Sequence, residues 1–202
     1  MPASADINWR EYYRRTGERP PRPTLLFALD RFETPAVAVD IGCGGGRDVV
    51  EMLRQGWTVF GVDQAASAGE ETLARPDLPD PDQPGNGSFS FIHARSEDAV
   101  WPMCDLTNSS FALPLCPPDC FPRLWQNITD RLNPGGRFAG QLYGPRDSWF
   151  GREGMTFHSR AEIDGLLAGW DVELLEEEED DSTTPRGTPK HWHIWHVVAR
   201  RP

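Results

Sequence analysis

The chain has 202 residues, with 31 acidic and 20 basic side chains and a formal net charge of −11 at pH 7. This length fits one domain with a substantial core. The acidic balance argues against broad binding to nucleic acid or to anionic membranes, because such binding needs clustered Lys and Arg. No apolar run approaches the ~20 residues of a membrane helix, and the N-terminus lacks the pattern of a signal peptide. We therefore expect a cytoplasmic protein with a small-molecule substrate and free thiols, and the oligomeric state is left open.

The N-terminal segment combines aromatic and basic side chains ahead of a proline-rich break. A short helix is predicted over 7–16 and a second one over 24–32. The aromatic residues of the first helix are Trp9, Tyr12 and Tyr13. Several arginines fall between residues 10 and 22, where they form either a solvated helix face or an anion site.

The most informative segment is 38–48, which reads AVDIGCGGGRD. Its β-branched apolar stretch predicts a buried parallel strand that ends near Asp40. The glycines that follow allow a sharp turn and the close approach of a ligand, and the free N–H groups of a helix predicted over 47–53 would face that ligand. A dinucleotide fingerprint, G-x-G-x-x-G, requires a third glycine where this chain has Arg47.

A second acidic residue strengthens the prediction of a cofactor site. Residues 57–63 predict the next strand, which ends in Asp63. A carboxylate at the tip of this strand can accept hydrogen bonds from both hydroxyl groups of a ribose. Strand, glycine turn, helix and acid together predict a nucleotide-containing cofactor at the carboxyl ends of the strands.

The rest of the chain continues the alternation of helices and strands. The remaining predicted elements are a helix over 64–74, a loop over 76–87, strands over 88–93 and 104–108, a helix over 119–132, a strand over 137–143, a helix over 159–168, and strands near 170–177 and 190–199. The sequence NPGG at 133–136 is a helix stop signal, and the acidic run 176–181 is predicted to be the solvated end of a hairpin. This alternation predicts a doubly wound α/β sheet, and the short polar loop between the last two strands predicts that this final pair is antiparallel.

These features resemble the class I S-adenosylmethionine (SAM)-dependent methyltransferases, and the resemblance covers nearly the whole chain. Asp40 and the glycine turn resemble the first motif of that family, and residues 132–137 resemble its L-x-P-G-G element. Residues 105–114 and the tail 190–196 resemble the small bacterial enzymes of the tellurite-resistance TehB group. The resemblance implies a Rossmann-like seven-stranded sheet of order 3-2-1-4-5-7-6, with the last strand antiparallel and helices on both faces.

The domain organisation and the cofactor follow from the same resemblance. We predict a single domain over 1–202, in which residues 1–34 form a helical cap over the cofactor and acceptor site and residues 35–202 form the core. The implied methyl donor is SAM, and the implied product is S-adenosylhomocysteine (SAH). The expected cofactor-binding residues are Asp40, Gly42, Cys43, Gly44, Asp63, Gln64, Ser96, Glu97 and Asn108.

The adenine-binding position departs from the pattern of the family. After the third strand these enzymes often have a small residue followed by an aspartate that reaches the adenine amino group. Here Arg95 stands near the usual acid. We therefore expect Glu97, Asp98 or the backbone at Ser96 to hold the adenine.

Candidates for catalysis are Asn108 and His158. Asn108 follows the fourth strand, where its amide would either face the transferring methyl or stabilise a turn. His158 precedes a helix, so it is either a base or a histidine at a helix start. The lid and acceptor candidates are Trp9, Tyr12, Tyr13, Phe111 and Trp149. The three N-terminal aromatics either cover the sulfonium cation or staple the first helix to the sheet.

Metal binding is not expected. His191 and His193 would share one strand face, but no third ligand accompanies them. Cys116 and Cys120 lack a second Cys or His pair at the spacing of a zinc site. The leading hypothesis is therefore a SAM-dependent methyltransferase that acts on a small molecule. The alternatives are a SAM-binding module without catalysis and an oxidoreductase with a nucleotide cofactor.

Overall fold

The computed structural model describes residues 9–202, with side chains from Glu11 onward except those at positions 14 and 15. The helices are α1 (Trp9–Gly17), α2 (Pro23–Leu29), α3 (Arg47–Arg54), α4 (Ala66–Leu73), α5 (Phe121–Arg131) and α6 (Arg160–Leu166). The strands are β1 (Val37–Ile41), β2 (Thr58–Asp63), β3 (Ser88–His93), β4 (Cys104–Ser109), β5 (Leu132–Tyr143), β6 (Asp171–Thr183) and β7 (Pro189–Arg200).

The seven strands form one sheet in the order β3-β2-β1-β4-β5-β7-β6. The pairs from β3 to β5 are parallel, whereas β7 runs antiparallel to both β5 and β6. This architecture confirms the predicted doubly wound sheet and its strand order. The register places Asp40 beside Gly61 on one side and Asn108 on the other. The carboxyl ends of β1, β2 and β4 therefore meet at one edge, beside the point where the strand order reverses.

The sheet is covered on both faces by apolar side chains. One face buries Leu124 and Ile128 of α5 against Phe138, and the other buries Leu25 of α2 with Met52 of α3. Because β1 is buried on both faces, its residues are apolar on both faces except for Asp40, rather than alternating between apolar and polar. Within the described residues, no helix has both the length and the apolar character needed to cross a bilayer.

The C-terminal hairpin is longer than its sequence predicted. The acidic run 176–181 lies inside β6 and pairs with β7 as far as Thr183, so the hairpin turn comes after the run instead of within it. Cations from neighbouring segments reduce the repulsion between these carboxylates. Arg146 pairs with two of them, Glu177 and Glu179, and His191 contacts both Glu179 and Asp181.

A buried ion pair fastens the segment after β5 (residues 144–150) to β7. The ammonium group of Lys190 contacts both carboxylate oxygens of Asp147, and both side chains are fully buried. The same carboxylate accepts hydrogen bonds from the backbone N–H groups of Trp149 (2.9 Å) and His193 (3.3 Å). Burial lowers the pKa of Lys190, and Asp147 opposes this shift.

Candidate active site

A cavity opens at the sheet edge where β1, β2 and β4 end. Its lining joins the glycine turn to residues from α1, from the segments after β3 and β4, and from the start of α3. Of the predicted cofactor-binding residues, those that line it are Asp40, Gly42, Cys43, Gly44, Asp63, Gln64, Ser96 and Glu97. Tyr12, Tyr13 and Phe111, predicted as lid or acceptor residues, line it as well.

The glycine turn needs residues without a side chain because other protein groups pack directly on it. Gly42 has a φ of 72°, and a Cβ there would lie 2.1 Å from the Cβ of Ala112. Gly44 has a φ of 54°, and its Cβ would lie 3.0 Å from the ring of Tyr13. The turn is held against β2 by hydrogen bonds from the N–H groups of Gly42 and Cys43 to the carbonyl of Val62.

Asp63 is the acceptor at the tip of β2. Its carboxylate accepts hydrogen bonds from the N–H groups of Ala65 (2.8 Å) and Gly44 (3.0 Å), and the phenol of Tyr13 lies 3.4 Å away. Burial raises the pKa of Asp63, and these donors oppose the shift. Burial and the nearby Asp63 charge also raise the pKa of Tyr13. Asp63 therefore ties α1 and the glycine turn to β2.

Beneath the turn, two buried carboxylates share one amide. The side-chain N–H₂ of Asn108 donates to Asp40 (2.8 Å) and to Asp48 (3.3 Å). Burial and the charge of Asp48 raise the pKa of Asp40. Burial alone would raise the pKa of Asp48, but hydrogen bonds from Arg47 and Ser110 lower it overall. Asn108 is fully buried behind Asp40 and does not contribute to the cavity lining, so it positions Asp40.

Sequence reasoning missed the residues around Asp48. In the sequence Arg47 is distinguished only by its place where a dinucleotide fingerprint has glycine, yet its guanidinium forms two hydrogen bonds with Asp48. The position of Asp48, in the first helical turn after the glycines, was the available signal. Arg22 was only one of several N-terminal arginines, but it lines the cavity with its guanidinium 4.4 Å from the centre of the Phe111 ring.

Within the described part of the chain, Arg22 combines burial with a missing hydrogen bond. Its Nε is buried and has no hydrogen-bond partner among the described residues. Burial and the charge of Arg47 lower its pKa to about 10. Since the guanidinium remains protonated at neutral pH, the cavity contains a cation that is able to bind an anionic group.

The opposite end of the cavity carries the residues expected near adenine. Arg95 donates to Glu97 across 2.6 Å, and the Glu97 side chain is only 6% exposed. Ser96, Leu115 and Cys116 line the same end. A buried carboxylate beside apolar side chains is suited to a planar ring that carries an amino group.

Two of the other predicted residues, Trp149 and His158, lie outside the cavity lining. Trp149 belongs to the segment after β5 and packs on Tyr143 and Trp192, outside the cavity lining. His158 also lies outside the lining; its ring packs 4.5 Å from Phe121, and its carbonyl accepts from Trp195. Trp9 begins α1, but its side chain falls outside the described residues. Among the described residues, no group of three or more His, Cys, Asp or Glu side chains is arranged to hold a metal ion.

Because His158 is buried, we expect the free energy of unfolding to decrease at acid pH. Burial lowers its pKa from 6.5 to about 4, so the unfolded chain binds a proton before the folded one does. The stability that His158 contributes is therefore complete above pH 6.5 and is lost as the pH falls toward 4. Between pH 8 and pH 5 we expect a loss of about 2 kcal/mol through this group.

Urea unfolding at both pH values checks this expectation with the variant His158→Phe, which should lose about 2 kcal/mol less than the wild type on acidification. An identical pH dependence would contradict it. His191→Asn is a suitable control because hydrogen bonds to Asp181 and Glu179 raise the pKa of His191. His191 therefore stabilises the folded protein at low pH, and this contribution is lost as the pH rises. Removing His191 should make the fall in unfolding free energy between pH 8 and pH 5 steeper than in the wild type.

Comparisons with known proteins show which proteins this chain is similar to. Residues 38–136 match the family model described as a methyltransferase domain, and no curated protein sequence matches the chain. TehB from Haemophilus influenzae is 16% identical with a TM-score of 0.72, over 96% of this chain and 67% of that one. A SAM-dependent methyltransferase from Methanosarcina mazei is 17% identical with a TM-score of 0.66, over 91% and 99% of the two chains.

A third structure, the 1,6-didemethyltoxoflavin-N1-methyltransferase of Burkholderia thailandensis, is 19% identical with a TM-score of 0.64, over 100% of this chain and 92% of that one. The similarity to these three structures includes the antiparallel strands β6 and β7. The family model covers a shorter part of the chain, which contains the glycine turn, Asp63 and β4. Residues 38–136 therefore match a methyltransferase domain, and the fold of the chain is similar to that of TehB and of a SAM-dependent methyltransferase.

Proposed function

We propose that this protein transfers a methyl group from SAM to a small-molecule acceptor in the cytoplasm. The observation that carries the proposal is the convergence of the glycine turn, Asp63 and Arg22 on one cavity. The similar structure from Burkholderia thailandensis is a methyltransferase with 1,6-didemethyltoxoflavin bound. This likeness supports a small molecule as the acceptor. The four cysteines are free thiols, as is typical of cytoplasmic proteins.

The residues of the cavity fit the nucleoside part of SAM. Asp63 offers two carboxylate oxygens to a ribose diol, and Gln64 lies beside it in the lining. Glu97 and the backbone at Ser96 stand where an adenine would need a hydrogen-bond acceptor for its amino group. The phenol of Tyr13 contacts one carboxylate oxygen of Asp63. When a ribose binds, Tyr13 either moves away from that oxygen or shares it with a ribose hydroxyl group.

The other end of the cavity fits the methionine part of SAM. A methionine carboxylate requires a cation, which the guanidinium of Arg22 supplies from the cavity lining. A methionine ammonium requires acceptors, which Asp40 and the carbonyl groups of the glycine turn supply. Asn108 fixes the orientation of Asp40 through its 2.8 Å hydrogen bond.

Bound SAM supplies an electrophilic methyl group on a sulfonium ion. The task of the protein is to hold donor and acceptor in line at about 3–3.5 Å and to exclude water. Tyr12, Tyr13 and Phe111 line the cavity and can help to exclude water from it. His158 is separated from the cavity, so we assign it no part in proton transfer.

Thermal unfolding with SAH or NADH tests the proposal. SAH is expected to raise the melting temperature of the wild type, and NADH is not. In Arg22→Gln we expect an SAH dissociation constant about tenfold higher, since a charge-assisted hydrogen bond contributes about 1.5–3 kcal/mol.

Arg160→Gln is the control because Arg160 is 60% exposed and pairs only with Asp164 among the described residues; it should bind SAH like the wild type. Stabilisation by NADH alone would favour an oxidoreductase and overturn the proposal. Tight SAH binding without transfer of labelled methyl to any of a panel of phenols, amines, thiols and chalcogen oxyanions would favour a non-catalytic module.

A further inference from the structure

Aromatic side chains form a continuous wall beside the cavity. Phe111 follows β4, Tyr143 ends β5, Trp149 and Phe157 lie in the segments after β5, and Trp192 is on β7. We call these five residues the aromatic wall. Their ring centres are separated by 5.9 Å (Tyr143–Trp192), 6.0 Å (Trp149–Trp192), 6.1 Å (Phe111–Tyr143 and Tyr143–Phe157) and 6.2 Å (Phe111–Trp192).

The wall joins the cavity at Phe111. This residue lines the cavity and has a φ of 61°, a left-handed conformation that aromatic residues rarely adopt. Such a conformation persists only where the surroundings fix it. Here Arg22, which also lines the cavity, stacks on the ring, and the ring of Tyr143 lies against it. Tyr143 is buried, whereas the other four rings are only partly buried.

Cations stack on the wall at three points, although the protein as a whole is strongly acidic. Arg22 lies 4.4 Å from Phe111, Lys190 lies 3.8 Å from Trp192 and Arg152 lies 4.5 Å from Trp149. Lys190 is neutralised by Asp147. Arg152 is exposed, and no ion pair joins it to any other side chain in the described part of the chain. Since Arg22 is assigned to the methionine carboxylate of SAM, Arg152 is the cation that remains to repel a cationic acceptor and to attract an electron-rich or anionic ring.

We propose that the aromatic wall is the acceptor subsite and that the acceptor is a planar aromatic molecule with an acidic or neutral substituent. This inference rests on the proposed methyl transfer. An oxygen, nitrogen or sulfur lone pair of the acceptor would form the bond to the methyl carbon as the carbon–sulfur bond breaks. The released electron pair stays on sulfur, which becomes the thioether of SAH, and the acceptor's proton passes to solvent.

Calorimetric titration of the protein–SAH complex tests the charge and the shape of the acceptor separately. The probes are 3,4-dihydroxybenzoate, catechol and dopamine, which share one ring and differ in charge, and cyclohexanecarboxylate, which keeps the charge without the ring. We expect 3,4-dihydroxybenzoate to bind about tenfold more tightly than dopamine, with catechol between them and no binding of cyclohexanecarboxylate.

Two variants locate the subsite, each with a matched control. Trp149→Leu and Arg152→Gln should weaken binding of 3,4-dihydroxybenzoate by about tenfold and about threefold while the SAH affinity stays unchanged. Trp170→Leu, which changes a partly buried tryptophan packed on Trp125, and Arg160→Gln should have no effect on either ligand.

Three results, each obtained while SAH still binds, would overturn the acceptor proposal. They are dopamine binding as tightly as 3,4-dihydroxybenzoate, no binding of any aromatic probe, and wild-type affinity for 3,4-dihydroxybenzoate in both variants. Loss of SAH binding by the wild type would instead overturn the proposed function.

Discussion

Replacing Lys190 with methionine is expected to lower the free energy of unfolding by about 3–5 kcal/mol. The substitution leaves Asp147 fully buried, and among the described residues the donors that remain to it are the backbone N–H groups of Trp149 and His193. An uncompensated buried carboxylate costs more than the methionine side chain regains by packing among the rings of Tyr143, Trp149 and Trp192. Urea unfolding at pH 7.5 measures the change.

A second substitution separates the charge from the packing. In Lys190→Met combined with Asp147→Asn, the amide oxygen still accepts the two backbone hydrogen bonds and no buried charge is left, so most of the lost stability should return. Arg160→Met is the control, because its ion pair with Asp164 is exposed and contributes about 0.5 kcal/mol or less. A loss below about 1 kcal/mol in Lys190→Met would show that the pair does not fasten the segment after β5.

This pair illustrates what local sequence patterns leave out. Lys190 and Asp147 are 43 residues apart, and neither residue belongs to a motif. A lysine at the start of a strand reads as exposed by composition alone. Only the antiparallel pairing of β5 with β7 brings the two charges together, and that pairing follows from the packing of the whole sheet.

The elements that could be predicted are those whose information is local. The apolar run of β1, the glycines that follow it and Asp63 at the end of the next strand lie within 26 consecutive residues, 38–63, and together they predicted both the sheet edge and the cofactor class. The antiparallel finish follows from the short polar loop between the last two strands, the strand order follows from the family resemblance, and the structure confirms both.

The buried polar residues beneath the turn could be predicted only in part. Asp40 was recognised from its place before the glycines, whereas Asp48 and Arg22 were not, because their importance depends on contacts between distant segments. The backbone N–H of Arg22 donates to Asp48 across 26 residues, and Asn108 reaches Asp48 across 60. Burial raises the pKa of Asp40 and lowers that of Arg22, whereas hydrogen bonds lower the pKa of Asp48. Burial and these contacts are properties of the folded chain.

Replacing Asp63 with alanine is expected to weaken SAH binding by about 3 kcal/mol, or about 100-fold, because two charge-assisted hydrogen bonds to the ribose would be lost. Part of the effect would come from the protein itself. The N–H groups of Gly44 and Ala65 would lose their acceptor, so the glycine turn would be held less firmly. Calorimetric titration with SAH measures the affinity, and thermal unfolding without ligand measures the contribution from the turn.

Two further variants separate ribose binding from the support of the turn. Asp63→Asn keeps one oxygen that can accept the backbone donors, so it should restore much of the ligand-free stability while its SAH affinity stays low. Tyr13→Phe removes the phenol that contacts Asp63 and should therefore leave SAH affinity equal to that of the wild type or higher. Asp82→Ala, an exposed acid in the loop after α4, is the control. If Asp63→Ala bound SAH as tightly as the control does, the carboxylate at the tip of β2 could not be the ribose acceptor, and the assignment of the nucleoside to this end of the cavity would fail with it.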